Sequence, residues 1–319
     1  MSSDDAQSLA QFSAETDGDG NFVRQVSAFR RAVSADPSSE FPAEAGRYHL
    51  YVSYACPWAS RTILYRKLKG LEHAIGLTVV DPVRDEHGWR FGDGSAANGE
   101  PDPLHGWTYL SEGYAQTDAS FDGRVTVPVL WDTKTNAAVN NESSEIIRML
   151  NSEFDAVAEH PEVDFYPHAL RPEIDELNAW IYDTVNNGVY RAGFATTQAA
   201  YEEAVTTLFA SLDRLEGILA DRRYLTGDQI TEADWRLAMT LFRFDPVYVG
   251  HFKCNIRRIA DYPNLWAYTR DLYQQPGVAE TVDFDHIKRH YYVTHPQINP
   301  TRVVPVGPEI DWDEPHGRG

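Results

Sequence analysis

From Tyr48 to Tyr54 the chain reads Tyr-His-Leu-Tyr-Val-Ser-Tyr, rich in aromatic and β-branched side chains, which predicts a buried strand. Cys56-Pro57-Trp58-Ala59-Ser60-Arg61 then opens a helix, Pro57 suiting the first helical position, where a missing N–H costs nothing. The helix is predicted to run to about Lys69 and to stop at Gly70. Leu77-Thr78-Val79-Val80 predicts a second strand, ended by Asp81-Pro82, and the three elements together make a βαβ unit. Residues 81–123 are rich in Gly, Pro and Asp and read as a long loop carrying the patch Gly88-Trp89-Arg90-Phe91. Val125 to Asp132, a turn at Thr133 to Asn136, and Ala137 to Asn140 predict a hairpin. Pro128 argues against an ordinary central strand unless the strand starts there with an unusual peptide bond. Asn141 to Glu145 lead into a helix over Ile146 to Leu150.

After Pro172 the pattern becomes helical. Ile174, Leu177, Ile181 and Val185 recur at helical spacing, as do Leu208, Leu212, Leu215 and Leu219. Thr231 with Asp234 three residues on predicts a capped helix start, with Ile230 and Trp235 as a hydrophobic staple. From His295 the chain is spaced by Pro296, Pro300, Pro305 and Pro308, an extended tail suited to wrapping the body. Residues 1–46 are polar, with a short amphipathic patch from Phe22 to Val33. The divisions that result are an extension over 1–46, a domain over 47–155 with a long insertion at 81–123, a helical domain over 165–294, and a tail over 295–319.

Composition narrows the function. At 319 residues, 42% hydrophobic and 24% charged, the chain has the balance of a soluble globular protein. Its formal net charge of −20 repels phosphate backbones and anionic head groups, which argues against nucleic-acid and membrane partners. Five of the 28 basic residues are lysines and the other 23 arginines. Abundant Asp with scarce Lys is what a high-salt cytosol selects, and a GC-rich genome with a merely acidic protein explains it equally. No apolar run approaches the length of a membrane span. The opening MSSDDAQSLA lacks the basic and apolar regions of a signal peptide, so the expected location is cytoplasmic, where thiols stay reduced.

That makes the two cysteines candidates for chemistry. Cys56 lies between a strand and a helix, where unpaired N–H groups and the helix dipole favour an anion, surroundings that favour a reactive thiolate. Ala59 stands where a dithiol motif would place its second cysteine, so an external thiol must resolve any mixed disulfide. Cys254 has no such start signal and reads as buried. His286 and His290 have the i, i+4 spacing of zinc ligands, yet no glutamate sits beside His286 and no third ligand is evident, so no metal is expected. In Asp17-Gly18-Asp19-Gly20-Asn21, Phe22 sits where a calcium loop needs its turn glycine and Ala28 where it needs its closing glutamate, which rejects calcium. Asp234 is explained by the helix cap. With 17 tyrosines, composition singles out none.

Cys56-Pro57-Trp58-Ala59, Gly88 to Phe91, Val125 to Asp132, Asn141-Glu142-Ser143, Asn186 to Phe194, and Tyr291-Tyr292 with Asn299-Pro300 and Val303-Val304-Pro305 resemble the glutathionyl-hydroquinone reductases, the Xi-class glutathione transferases. The likeness spans roughly residues 20 to 310. It implies an α/β plus all-α protein: an N-terminal thioredoxin-like domain followed by a C-terminal glutathione-transferase-type helical domain, with a cis Val127–Pro128 bond lining the thiol-ligand site. It also implies a homodimer.

The roles implied are specific. Cys56 is the nucleophile. Trp89, the stretch Arg124-Val125-Thr126-Val127 and the pair Glu142-Ser143 hold the glutathionyl group, Val127 through its backbone and Glu142-Ser143 at the γ-glutamyl end. Tyr190 exchanges a proton with the aromatic leaving group, and Tyr248 and Tyr291 stabilise the Cys56 thiolate. The substrate is an aromatic thioether, an S-glutathionyl-hydroquinone. No cofactor is bound, and the cosubstrate is glutathione or, in a high-salt cytosol, γ-glutamylcysteine. The competing readings are another cysteine-type transferase (a thiol transferase or reductive dehalogenase) and a non-catalytic transferase-like binding module. The 81–123 insertion and proline-rich tail favour the first assignment over the former. The presence of Cys56 with its supporting residues favours it over the latter.

Overall fold

The computed structural model describes residues 15–318, so the MSSDDAQSLA opening lies outside the described residues. Four strands form a mixed sheet in the order β2-β1-β3-β4, with β1 Tyr48–Val52, β2 Ile75–Val79, β3 Val129–Asp132 and β4 Ala137–Asn140. β1 pairs in parallel with β2 and antiparallel with β3, placing Leu50 between Leu77 and Leu130, and β3 pairs antiparallel with β4. Every residue of β1 is buried, which is why its sequence runs apolar and aromatic instead of alternating. Helix α1, Pro57–Leu68, makes the crossover from β1 to the parallel β2, and Gly70 ends it with φ +62°, a conformation that glycine adopts without strain. α1 packs against α3, Ser143–Arg148, completing a thioredoxin-like βαβ–ββα arrangement.

Several expectations shift. The second strand starts at Ile75, two residues early. Arg124 to Pro128 lie outside the sheet, and β3 begins only after the cis Val127–Pro128 bond. The helix expected from Ile146 starts at Ser143 and passes into a π-turn over Met149–Glu153. The 81–123 segment is not all loop: α2, Leu110–Thr117, packs on β4, its start held by the Glu112 carboxylate accepting from the Thr108 and Tyr109 N–H groups. Only Leu110, Gly113 and Tyr114 are buried in its two turns, too few to write a helical period.

One buried polar group in the sheet has a consequence for stability. His49 lies in β1 with its Nε2 2.8 Å from Thr78 Oγ1, and burial pushes the imidazole down to about 4. An unfolded chain takes up that proton near pH 6.5, so stability is full above pH 6.5 and is lost as pH falls toward 4. Going from pH 7 to pH 5 is expected to cost about 2 kcal/mol through this residue. Urea titrations at the two pH values should show a smaller loss in His49→Gln, and an equal loss in both proteins would refute the assignment.

The chain forms two compact units, which cut it differently from the sequence divisions. The sheet unit comprises residues 26–164 and 280–290. Part of the expected extension therefore belongs to it: residues 29–31 run along β4, with Arg31 N–H donating to Val139 O and Asn141 N–H to Phe29 O, both at 3.0 Å. The helical unit comprises, among the described residues, 15–25, 165–279 and 291–318. Its described helices are α4 Arg171–Ile181, α5 Gly188–Phe194, α6 Gln198–Asp221, α7 Glu232–Arg243 and α8 Pro263–Tyr273. The last helix, α9 Phe284–Thr294, carries the chain from one unit into the other. Both leucine and isoleucine series named above are buried. Thr231 and Asp234 form the expected capping box. In the tail, Trp312 stacks on Tyr273 and Arg318 donates to the carbonyls of Leu219, Arg222 and Arg223 at the end of α6. Among the described residues no helix is long and apolar enough to cross a membrane.

Candidate active site

Cys56 is the N-cap of α1, its carbonyl accepting from Ser60 N–H at 2.9 Å and its side chain spending nothing on a cap bond. The sulfur is half-buried and lies 3.5 Å from Val127 O, so the residue before the cis bond meets the candidate nucleophile through its backbone. Cys254 is fully buried, its sulfur 3.9 Å from Val189 O, and burial pushes its thiol well up. Only Cys56 is available for thiol chemistry.

The other sheet-unit residues follow by short links. Thr126 is tied to α2 by Tyr114, whose hydroxyl donates to Thr126 O at 2.8 Å and also contacts its Oγ1, while Asn141 Nδ2 donates to Tyr114. Arg124 and Val125 precede it, half-buried and outside any strand. Glu142 caps α3: Oε1 accepts from Ser144 N–H and Oγ, and Oε2 from Ser27 Oγ at 2.9 Å. Burial works to raise this carboxyl, but those donors and the charge of Arg61 outweigh it and hold it below the ordinary carboxylate range. Ser143, the first residue of α3, accepts from Arg61 Nη1 at 3.4 Å. Trp89 is buried and packs against two side chains. The His290 ring stacks at 5.1 Å and 16°, and the Arg84 guanidinium lies 5.2 Å from its centroid. His290 Nδ1 sits 2.6 Å from Pro82 O, an atom that only accepts, so this nitrogen carries the proton. His286 likewise bonds Ala96 O. The two histidines brace the insertion. Among the described residues no group of three His, Cys, Asp or Glu could hold a metal.

The three tyrosines gather in the helical unit. Tyr291 Oη lies 2.5 Å from Tyr190 Oη and 3.1 Å from Tyr248 Oη, a chain of three hydroxyls. Tyr248 and Tyr291 are buried, and burial pushes both phenols well above the ordinary tyrosine value, so they are protonated donors at neutral pH. Tyr190 keeps partial exposure, with the Arg24 guanidinium 4.9 Å from its ring. Its helix α5 closes tightly on Phe252: a Cβ added at Gly193 would lie 2.2 Å from that ring, which accounts for the glycine.

From the sequence His290 stands out only for its spacing to His286, and Arg61, Arg84, Ser27, Tyr114 and Arg24 are given no part in the site. Arg61 alone had a local signal, a charge within the buried stretch Ala59 to Tyr65. Ser27, His290 and Arg24 act across long separations that leave no pattern.

Residues 55–153 match the glutathione S-transferase N-terminal domain family, and residues 198–271 the glutathione S-transferase C-terminal domain family. The chain is 57% identical over 305 residues to glutathionyl-hydroquinone reductase YqjG of Escherichia coli, covering 94% of this chain and 92% of that protein. The glutathione-bound structure of YqjG aligns with a TM-score of 0.88, covering 91% of this chain and 96% of that one. Glutathionyl-hydroquinone reductase PcpF of Sphingobium chlorophenolicum is 52% identical over 289 residues, covering 91% of this chain and 90% of that protein. The glutathione-S-transferase Xi of Phanerochaete chrysosporium is 53% identical with a TM-score of 0.89, covering 92% of this chain and 94% of that one.

Proposed function

The chain belongs to the glutathione transferase superfamily as a glutathionyl-hydroquinone reductase of the Xi class, and from that premise we infer that it reduces S-glutathionyl-hydroquinones to hydroquinones through Cys56. The observation that carries the role of Cys56 is its placement: a half-buried sulfur at the start of a helix, 3.5 Å from the Val127 carbonyl, with the other cysteine sealed in the core. The thiolate attacks the sulfur of the conjugate. A sulfur–sulfur bond forms, the carbon–sulfur bond breaks, and its electron pair passes to the ring carbon, which takes a proton from Tyr190. The aromatic ring is thereby reduced and the two sulfurs oxidised. A second low-molecular-weight thiol, glutathione or γ-glutamylcysteine, then attacks the mixed disulfide and returns Cys56 as thiolate.

In this reading Val127 pairs with the cysteinyl backbone, and Glu142 and Ser143 receive the ammonium and carboxylate of the γ-glutamyl end. Trp89, held by His290 and Arg84, and Arg124, Val125 and Thr126 complete the walls. Tyr248 and Tyr291 donate hydroxyl protons that favour the thiolate. The Tyr190–Tyr291–Tyr248 chain supports a supply of protons to the ring. Tyr190→Phe is expected to lower kcat by about 10²-fold and to alter its pH profile. An unchanged rate at every pH would remove Tyr190 from the mechanism.

A further inference from the structure

Arg61 sits on α1 five residues after Cys56 and is 1% exposed. A guanidinium so deeply buried is costly unless anions and acceptors surround it. Its Nη1 donates to Ser143 Oγ, its charge lowers the Glu142 carboxyl, and its guanidinium carbon lies 5.2 Å from the centroid of the Trp58 ring. Arginine offers five donors and no acceptor, so in this contact Ser143 can only accept. The serine's own proton is left for an acceptor other than Arg61.

We propose that Arg61 is a positioning residue that makes the Glu142–Ser143 pair selective for a zwitterionic γ-glutamyl end. It fixes Ser143 as a donor to the ligand's α-carboxylate and supplies the positive charge that balances Glu142. The inference rests on the reading of Glu142 and Ser143 as the γ-glutamyl site. Two fixed opposite charges then meet the two opposite charges of the ligand, Arg61 and Ser143 serving the carboxylate and Glu142 the ammonium. A ligand end lacking either charge brings a net charge to this balanced pair, and such mismatches are penalised heavily. Both candidate cosubstrates, glutathione and γ-glutamylcysteine, share this end, so Arg61 does not discriminate between them.

The test uses S-glutathionyl-hydroquinone and two analogues, one with the γ-glutamyl α-carboxylate turned into a carboxamide and one lacking the α-amine. The wild-type enzyme is expected to lose about 30-fold in kcat/KM on each analogue. Arg61→Met is expected to raise KM for the parent about tenfold with kcat within about threefold, and to shrink the carboxamide penalty to about threefold while keeping the deamino penalty. Arg61→Lys should recover part of the discrimination. Ser143→Ala should also shrink the carboxamide penalty, which keeps the test decisive if Arg61→Met does not fold. A full carboxamide penalty in either Arg61→Met or Ser143→Ala would overturn the proposal. A wild-type enzyme indifferent to both analogues would instead reject the γ-glutamyl site itself.

Discussion

Cys56→Ala is expected to lower turnover of S-glutathionyl-hydroquinones by about 10³-fold or more, the scale of removing a covalent nucleophile. Nothing nearby can substitute. Ala59 replaces the second cysteine of a dithiol motif, and Cys254 is fully buried with its thiol pushed up by burial. Iodoacetamide should accordingly label the wild-type protein once and the variant not at all. The fold should survive, because the Cys56 side chain makes no cap bond and Pro57 still starts α1. Retained dethiolation by a folded variant would end the assignment.

The largest stability effect is expected at Asp234, in the helical unit. This carboxylate is 0% exposed and accepts from Leu225 N–H at 2.9 Å, Thr231 N–H at 2.8 Å, Thr231 Oγ1 at 3.0 Å and Tyr268 Oη at 2.8 Å. Burial still outweighs these four donors and raises the carboxyl above its ordinary value. Replacement by alanine strands the donors in the core, which is expected to cost about 3–5 kcal/mol, against about 1 kcal/mol for an ordinary surface cap. Asp234→Asn keeps the shape and one acceptor oxygen and should fall between. Denaturant titration checks the pair. A loss below about 1 kcal/mol in the alanine variant would mean that the box contributes only as a surface cap does.

The parts legible in the sequence share a cause: each is decided by neighbours along the chain. The strand before Cys56, the proline after it, Gly70 at the helix end, the hairpin and the Thr231–Asp234 box all write themselves within a few residues. The fully buried β1 was readable because a strand covered on both faces cannot hide its apolar run. α2 was not, since Leu110, Gly113 and Tyr114 are its only buried residues and the Glu112 cap resembles loop chemistry. The clamp on Trp89 joins it to His290, and the Arg61–Ser143 contact joins α1 to α3, separations that no periodicity reports. The division into units was hidden for the same reason: residues 280–290 lie in the helical stretch of the sequence and group with the sheet. The family resemblance proposes Trp89, Glu142 and Tyr190 where local pattern offers nothing, but it names neither Arg61 nor the Arg84 and His290 side chains beside Trp89.

Whether the Cys56 thiolate attacks sulfur or carbon decides the chemistry. Mass spectrometry of the Cys56 peptide, after mixing the enzyme with one equivalent of S-glutathionyl-hydroquinone and no second thiol, separates the two outcomes. Attack on sulfur leaves Cys56 carrying a glutathionyl group through a reducible disulfide, with sulfur-free hydroquinone released. An aryl group bound to Cys56 with free glutathione in solution, or an unmodified Cys56 beside accumulated hydroquinone, would contradict it.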